Sequence, residues 1–248
     1  MENFPTTLPP PSSQITIPIA EYLSLPHPDH NWLISGIIAK PTYVLLLGDG
    51  KSGKSTLALQ MSLAVANGIP FMGFPTRKGR VLYLQCDVSD FTWRLMLSNF
   101  KTNGESLQGN VFLVNPLKSH PYLDVLSKTT LDYLKEIRDS CHPDMVVLDV
   151  LCEFHRSDEQ DATSMRIIIN LLLKVFEGTG LLIVHHTSKL DPTLSADPIR
   201  SSRGSSYIPN RADNVLLLHQ SRLCSRGRFG VPLSLTLRRK PSGFWFRV

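Results

Sequence analysis

The strongest chemical signal in the sequence is a run of small and basic residues between positions 48 and 55. It reads Gly-Asp-Gly-Lys-Ser-Gly-Lys-Ser and matches the phosphate-binding pattern GxxxxGK[ST] in full. Glycines let the backbone curl so that successive N–H groups point at one anion, and a following helix adds its positive end. In such a turn Lys54 neutralises β- and γ-phosphate oxygens, while the Ser55 hydroxyl ligates Mg²⁺. The pattern therefore predicts a site for ATP and Mg²⁺.

The flanking residues favour this interpretation over a chance match in a turn rich in glycine and serine. The apolar run Tyr43–Leu47 leads into the turn, and a helical pattern over Lys54–Asn67 leads out of it. Lys51 comes too late in the turn to be the extra lysine of one P-loop class, so we expect it to face solvent or to steer phosphate. The predicted cofactor-binding residues are Gly48, Asp49, Gly50, Lys51, Ser52, Gly53, Lys54, Ser55 and Thr56.

Three other predicted strands end in residues suited to the same chemistry. Met145–Asp149 is four apolar residues followed by an acid that can hold Mg²⁺ through water, the Walker B form. The strand starting at Arg80 ends near Asp87, an acid placed to activate the attacking water. Leu181–His186 ends in two histidines, one of which can sense the γ-phosphate. Adjacent strand residues point to opposite faces, so His185 and His186 are not expected to share a metal.

These strand ends belong to an alternating series of strands and helices. Strands are predicted at Tyr43–Leu47, Arg80–Gln85, Val111–Val114, Met145–Asp149, Leu181–His185 and Asn214–Leu218. Helices are predicted at Lys54–Asn67, Phe91–Lys101, Thr129–Ser140 and Ser164–Gly178. Near-continuous Val, Leu and Ile runs are typical of strands covered on both faces, so the alternation predicts an α/β fold with a mostly parallel, twisted sheet flanked by helices.

The two ends of the chain differ from this pattern. Residues 1–14 are rich in proline and poor in apolar side chains, which predicts a flexible tail. Residues 15–35 are expected to form an N-terminal extension, and residues 36–248 the main domain. At the other end, apolar segments at 233–237 and 244–248 surround Pro-Ser-Gly and predict a C-terminal β-hairpin.

Composition limits the remaining classes of protein. The chain has 248 residues, of which 42% are hydrophobic and 19% charged, so one substantial core can form. The net charge of +5 is compatible with a phosphate-rich partner. The sequence contains no apolar stretch of about 18 residues and begins without a signal-peptide pattern. The four cysteines are scattered, which favours free thiols in a reducing compartment. We therefore expect a cytoplasmic protein without a membrane partner.

Taken together, the segments resemble the RecA-like ATPases of plasmid and phage replication. The family is typified by the RepA-type hexameric helicases and is related more distantly to the DnaB-type ring helicases. After the phosphate-binding motif come MVVLDVLCEFHRSDEQDATSMRIIINLLL, LLIVHHTSK and IRSSRGSSYIPNRADNVLLL, in the order found in that family. The resemblance covers roughly residues 30–248. It implies a RecA-like P-loop NTPase fold.

The resemblance also implies roles for individual residues of the nucleotide site. Lys54 and Ser55 bind the nucleotide and Mg²⁺, Asp149 is the Walker B acid, and His186 is the γ-phosphate sensor. Asp87 falls where the family has a catalytic glutamate. Aspartate is one methylene shorter, and a misplacement of order 1 Å can cost around 10²-fold in rate. Hydrolysis is therefore expected to be slow or to use another base.

Other acids follow the Walker B strand and are alternative bases. Glu153 and Glu159 lie in that loop, although acids in such loops are more often solvated than catalytic. A P-loop kinase acting on a small molecule is a third type of protein with this motif. It is disfavoured because neither an acceptor site nor a lid is recognisable in the sequence.

The C-terminal hairpin resembles the family's Lys-x-Arg hairpin, which supplies cations to the nucleotide of a neighbouring subunit. Arg238 and Lys240 share one face of the predicted strand, and a cation supplied in this way makes hydrolysis conditional on assembly. Arg203 is the rival candidate for this role. Alternatively, the hairpin charges protect an edge strand from aggregation.

In RecA-like proteins the loops after the Walker B and sensor strands face the central channel of a ring. Here the second loop is long, and loops of this length without structure of their own are usually functional or disordered. Its Lys189, Arg200 and Arg203 are suited to hold a phosphate backbone without reading sequence. The predicted nucleic-acid contacts are these three residues, and the implied partner is single-stranded DNA.

The sequence thus predicts a motor that binds and hydrolyses Mg-ATP while it acts on single-stranded DNA. The resemblance implies a homo-oligomer, in the form of a hexameric ring, that works as a replicative helicase of a plasmid, phage or mobile element together with other replication proteins. The alternative is a non-motor, ATP-switched DNA-binding regulator or loader with the same fold.

Overall fold

The computed structural model describes residues 16–24, 31–102, 110–114, 123–188, 202–220, 233–239 and 245–247. The chain divides into two units, residues 1–30 and residues 31–248. In the first unit, Ile19–Ser24 forms the short helix α1, which buries none of its residues. The predicted tail at residues 1–14 lies outside the described residues.

The second unit contains the predicted alternation of strands and helices. Its described strands are β1 (Trp32–Ile34), β2 (Ile38–Ala39), β3 (Thr42–Gly48), β4 (Val81–Gln85), β5 (Val111–Leu113), β6 (Met145–Asp149), β7 (Gly180–His186), β8 (Asn214–Gln220), β9 (Leu233–Arg239) and β10 (Trp245–Arg247). Its described helices are α2 (Lys54–Asn67), α3 (Asp90–Thr102), α4 (Lys128–Cys141), α5 (Ala162–Val175) and α6 (Tyr207–Arg211), with a 3-10 helix at Leu151–Phe154.

The main sheet joins eight described strands in the order β10-β9-β8-β3-β7-β6-β4-β5. The six strands from β8 to β5 are parallel. Strands β9 and β10 are antiparallel and form the C-terminal hairpin at one edge. The prediction of a mostly parallel α/β sheet with a terminal hairpin is confirmed. Strands β1 and β2 form a separate antiparallel pair.

Alternate residues of the central strand β3 pack into two different layers of the core. Val44 and Leu46 lie with the apolar residues of α2, whereas Leu45 and Leu47 lie with those of α5. All four side chains are fully buried. A strand covered by helices on both faces has no solvent-facing position, which explains why the predicted strands are apolar at nearly every residue.

The strand register brings the chemically interesting strand ends to one edge of the sheet. Gly48 at the end of β3 pairs with His186 at the end of β7, and Asp149 at the end of β6 pairs with Gln85 at the end of β4. Because these strands are parallel, their carboxyl ends meet at the same edge. Open α/β sheets bind their ligands at this edge.

Candidate nucleotide site

The turn after β3 has the curled backbone that the phosphate-binding motif predicts. Its Gly53 stands directly before α2 with φ of 92°, a left-handed conformation that glycine adopts without steric cost. Lys51 is also left-handed, with φ of 60°, and its side chain is exposed. The Ser52 N–H donates to the Asp49 carbonyl at 3.2 Å, which closes the turn. The N-terminus of α2 therefore opens toward the edge where the parallel strands end.

Lys54 is held inside this turn by the backbone. Its side-chain ammonium donates to the carbonyls of Gly48 and Asp49, at 2.9 and 2.7 Å, and only 6% of the residue is exposed. Burial lowers the pKa of Lys54, and the charge of Asp149 opposes that effect. The ammonium is thus fixed at the turn rather than extended into solvent.

A cleft of about 300 Å³ lies in front of the turn. It brings together the phosphate-binding turn, the end of β4 and the end of β7. The lining residues are Lys51, Ser52, Gly53, Lys54, Ser55, Thr56, Asp87, Val88, Val150 and His186. Four positions with predicted catalytic or metal-binding roles therefore share one cleft: Lys54, Ser55, Asp87 and His186.

Asp149 lies at the base of this region and is 1% exposed. Its Oδ2 accepts a hydrogen bond from the Tyr83 hydroxyl at 2.7 Å, while its Oδ1 has no hydrogen-bond partner among the described residues. Burial raises the pKa of Asp149, and the hydroxyls of Tyr83 and Ser55 oppose that rise. A buried carboxylate oxygen next to a serine hydroxyl fits the oxygen ligands that Mg²⁺ prefers. Ser55 and Asp149 are thus the residues that would hold the ion, directly or through water.

The two histidines at the end of β7 have different surroundings. His186 Nδ1 lies 3.4 Å from Lys54 Nζ at the cleft, whereas His185 is fully buried and its Nε2–H donates to the Arg203 carbonyl at 2.9 Å. Burial, and then the charge of Lys54, lower the pKa of His186, which keeps its ring neutral at pH 7. Within the described part of the chain, no cluster of metal-ligating side chains forms.

The three candidate bases, Asp87, Glu153 and Glu159, differ in their exposure and in their surroundings. Asp87 is exposed at the rim of the cleft, and its charge acts on both Lys54 and His186. Glu153 is exposed and lines a different recess, beside Asp124. Glu159 is buried, at 9% exposure, and its Oε2 lies 2.8 Å from Arg203 Nε. The expectation that acids of this loop are solvated is wrong for Glu159, which is buried and forms an ion pair with Arg203.

The strand register separates Arg238 of the C-terminal hairpin from the phosphate-binding turn along the sheet. In β9, Arg238 pairs with Val215, three residues before Leu218, which pairs with Gly48. Three residues of strand correspond to about 10 Å, toward the amino edge of the sheet. A role for Arg238 at the nucleotide of a neighbouring copy stays a prediction. Lys240 lies outside the described residues.

Both stems of the long loop after β7 are anchored near the cleft. Thr187 donates through its hydroxyl to Asp49 and through its N–H to the Gly48 carbonyl. On the returning stem, Ser202 bridges to Thr187, and Arg203 N–H donates to the His186 carbonyl at 3.0 Å. The predicted nucleic-acid contacts Lys189 and Arg200 lie outside the described residues.

Tyr83, which sequence reasoning missed, contacts Asp149, the predicted Walker B acid. The residue is fully buried in β4, packs against the Trp93 ring at 5.1 Å, and donates its hydroxyl to Asp149. A signal was available, since a buried tyrosine hydroxyl usually finds a partner, and Tyr83 is the only aromatic residue in this strand. We infer that the tyrosine orients the carboxylate.

Replacing Tyr83 with phenylalanine tests this arrangement. The change removes a hydrogen bond to a charged group, worth about 1.5–3 kcal/mol, and raises the pKa of Asp149 further. We expect the Mg²⁺ concentration for half-maximal ATP hydrolysis to rise by about tenfold. Tyr43→Phe is the matched control, because its hydroxyl bonds the Ile208 carbonyl on another part of the sheet. Equal Mg²⁺ requirements in the two variants would contradict the assigned role.

The sheet order, the curled turn and the converging strand ends define a P-loop NTPase of the RecA-like fold. Residues 9–192, most of the chain, match the AAA domain family designated AAA_25. The chain belongs to that family. None of the described helices has the length and apolar character that a bilayer crossing requires.

Two curated proteins and one solved structure are also similar to this chain. The DNA repair protein RadA of Bacillus subtilis is 26% identical over 167 residues, which cover 65% of this chain and 31% of RadA. RadA of Listeria monocytogenes is 25% identical over 185 residues, covering 72% and 35%. The chain thus spans about a third of the length of these curated relatives. A KaiC-like protein from Pyrococcus horikoshii OT3 shares the fold, with a TM-score of 0.52 and 16% identity over 88% of each chain.

Proposed function

We propose that this protein binds and hydrolyses Mg-ATP and uses the reaction to move on single-stranded DNA. The observation that carries the proposal is the convergence of Lys54, Asp149 and His186 from three separate parts of the chain. His186 Nδ1 lies 3.4 Å from Lys54 Nζ, and burial lowers the pKa of Lys54 while the charge of Asp149 opposes that effect. A turn with only a structural role would not require a buried lysine, a buried acid and a neutral histidine at the same edge of the sheet.

Each side chain then has a defined task in phosphoryl transfer. Lys54 neutralises β- and γ-phosphate oxygens, and the N–H groups of the turn hold the same phosphates. Ser55 and Asp149 would hold Mg²⁺, and the bound ion would offset negative charge on the phosphates. Asp87 takes the proton of the attacking water, and the neutral ring of His186 donates to a γ-phosphate oxygen.

Several observations support DNA as the partner. The loop after β7 has both stems anchored beside the cleft, so a change at the γ-phosphate can reach it through His186 and Asp49. Its Lys189 and Arg200 bring positive charge. The relatives in two bacteria are named DNA repair proteins. We further propose a cytoplasmic hexameric ring in which Arg238 or Lys240 of one copy serves the nucleotide of the next, as in a replicative helicase of a plasmid, phage or mobile element.

A second candidate is an ATP-switched regulator or loader that assembles on DNA without moving along it. Two observations favour it. The base at the cleft is an aspartate, shorter than the glutamate of the resembling family and exposed at the rim. Arg203, one of the predicted DNA contacts, is already paired with Glu159. Both features are compatible with slow turnover and with ATP acting mainly as a switch.

One experiment separates the two candidates. The ATPase rate is measured with and without single-stranded DNA, together with the mass in solution and strand displacement on a forked duplex. The motor predicts DNA-stimulated hydrolysis, a large assembly and displacement that requires ATP. The switch predicts ATP-dependent assembly on DNA with no displacement. An ATPase rate unchanged by DNA, from a monomer that does not bind it, would overturn both.

A further inference from the structure

Arg203 is held from three directions by its own chain. Its N–H donates to the His186 carbonyl at 3.0 Å, and its carbonyl accepts from His185 Nε2 at 2.9 Å. Its side-chain Nε lies 2.8 Å from Glu159 Oε2. The residue therefore connects the end of β7, which carries the predicted γ-phosphate sensor, with the loop that follows the Walker B strand.

The backbone around Arg203 is shaped for this contact with Glu159. Ser205 N–H donates to the Glu159 carbonyl at 2.6 Å. Between the two lies Gly204, with φ of 79°, and a Cβ at this position would approach the Glu159 carbonyl oxygen to 2.6 Å. Only glycine allows both the left-handed conformation and this close approach. Segment 203–205 is thus fitted onto Glu159 by main chain as well as by charge.

In this ion pair Glu159 is far more deeply buried than Arg203. The side chain of Glu159 is 10% exposed, whereas that of Arg203 is 55% exposed. Moving the guanidinium to DNA or to the nucleotide of a neighbouring subunit would leave a buried carboxylate without its counter-charge, which is strongly unfavourable. The two roles that the sequence suggested for Arg203 would compete with Glu159 for the same guanidinium.

We propose that Arg203 is instead a positioning residue of its own chain's nucleotide site, held by Glu159 so that the His186 ring stays beside Lys54. The proposal rests on the proposed ATPase function and adds a regulatory link to it. The stem at residues 202–203 is tied to the predicted γ-phosphate sensor, so a shift of this stem changes the recognition of the third phosphate.

The test uses Glu159→Gln, Arg203→Gln and the double variant, with ATP turnover and the affinities for ATP and ADP as readouts. Displacing a catalytic group by about 1 Å can cost around 10²-fold, so we expect kcat to fall by about 10- to 100-fold in each single variant. The KM for ATP should change less, and the preference for ATP over ADP should decrease. A general loss of structure would weaken both nucleotides alike. The double variant should be no slower than either single variant, because both remove the same contact.

Two exposed residues of α5 and the turn after it provide charge-matched controls: Arg166→Gln and Glu177→Gln should retain the wild-type rate. A Glu159→Gln protein with wild-type kcat and ATP preference, alongside an impaired Arg203→Gln protein, would overturn the proposal and return Arg203 to DNA or to a neighbouring subunit. If Arg203→Gln does not fold, Glu159→Gln and the double variant decide in its place, since neither leaves the buried carboxylate uncompensated. Absence of turnover in the wild-type protein would refute the ATPase function itself, which is a separate result.

Discussion

Replacing Lys54 with alanine is expected to abolish ATP hydrolysis, with a loss of at least about 10²–10³-fold, the effect of removing one preorganised charge-stabilising group. The ammonium is already held in the turn, beside the cleft, by the Gly48 and Asp49 carbonyls. Alanine removes the charge and leaves the turn, whose conformation depends on its glycines, in place. Phosphate release by purified protein at saturating Mg-ATP measures the effect.

An exposed lysine elsewhere in the domain is the control for loss of one positive charge. Lys174 lies on the surface near the end of α5, and Lys174→Ala should keep the wild-type rate. A Lys54→Ala protein that hydrolyses ATP as fast as wild type would show that the site has been assigned to the wrong residues.

Replacing Asp149 with asparagine is expected to have two opposite effects: loss of hydrolysis and a gain in stability without nucleotide. Burial raises the pKa of this acid, so the folded protein holds its charged form at a cost. Asparagine keeps an acceptor for the Tyr83 hydroxyl and removes the charge. The melting temperature should rise by a few degrees, since about 1 kcal/mol corresponds to roughly 2–4 °C in a protein of this size. Mg-ATP should no longer add stability to the variant.

An aspartate at the other end of β6 is the control for the direction of this change in stability. Asp144 precedes the strand and accepts from Lys40 Nζ at 2.6 Å and from Arg80 N–H at 2.9 Å. Burial acts to raise the pKa of Asp144, but these hydrogen bonds outweigh it and the pKa is lowered. Asp144→Asn should therefore decrease stability at pH 7, where the native carboxylate is charged and paired.

The pH dependence of unfolding follows the same signs. The contribution of Asp144 is present above the pKa of an unfolded aspartate, about 3.9, and is lost as the pH falls through its lower native value. The unfavourable charge of Asp149 is relieved as the pH falls through its raised native value. The melting temperatures of Asp144→Asn and Asp149→Asn at pH 7, each compared with wild type, measure these opposite contributions. A lower melting temperature for Asp149→Asn than for wild type would contradict the assigned burial cost.

The sequence was sufficient to predict features that depend on residues close together in the chain. The curled turn follows from glycine spacing within eight positions, and the buried strands follow from continuous apolar runs. The meeting of Lys54, Asp149 and His186 was also predictable, because parallel strands place their carboxyl ends at one edge. These predictions need only local sequence patterns and a general rule of sheet geometry.

Contacts between distant residues could not be predicted in this way. The Tyr83–Asp149 hydrogen bond spans 66 positions, and the Asp49–Thr187 hydrogen bond spans 138. Glu159 is an acid in a loop, and its ion-pair partner Arg203 comes from the far side of the long loop. Such pairs depend on packing geometry that residue types alone do not encode.

The most direct test of the central claim is a crystal structure of the protein with Mg²⁺ and a non-hydrolysable ATP analogue. We expect β- and γ-phosphates on the N–H groups of residues 50–55, the Lys54 ammonium on their oxygens, and a metal ion between Ser55 and Asp149. We also expect the His186 ring to contact the γ-phosphate. A triphosphate bound elsewhere, or a metal ion remote from Asp149, would contradict the assigned site.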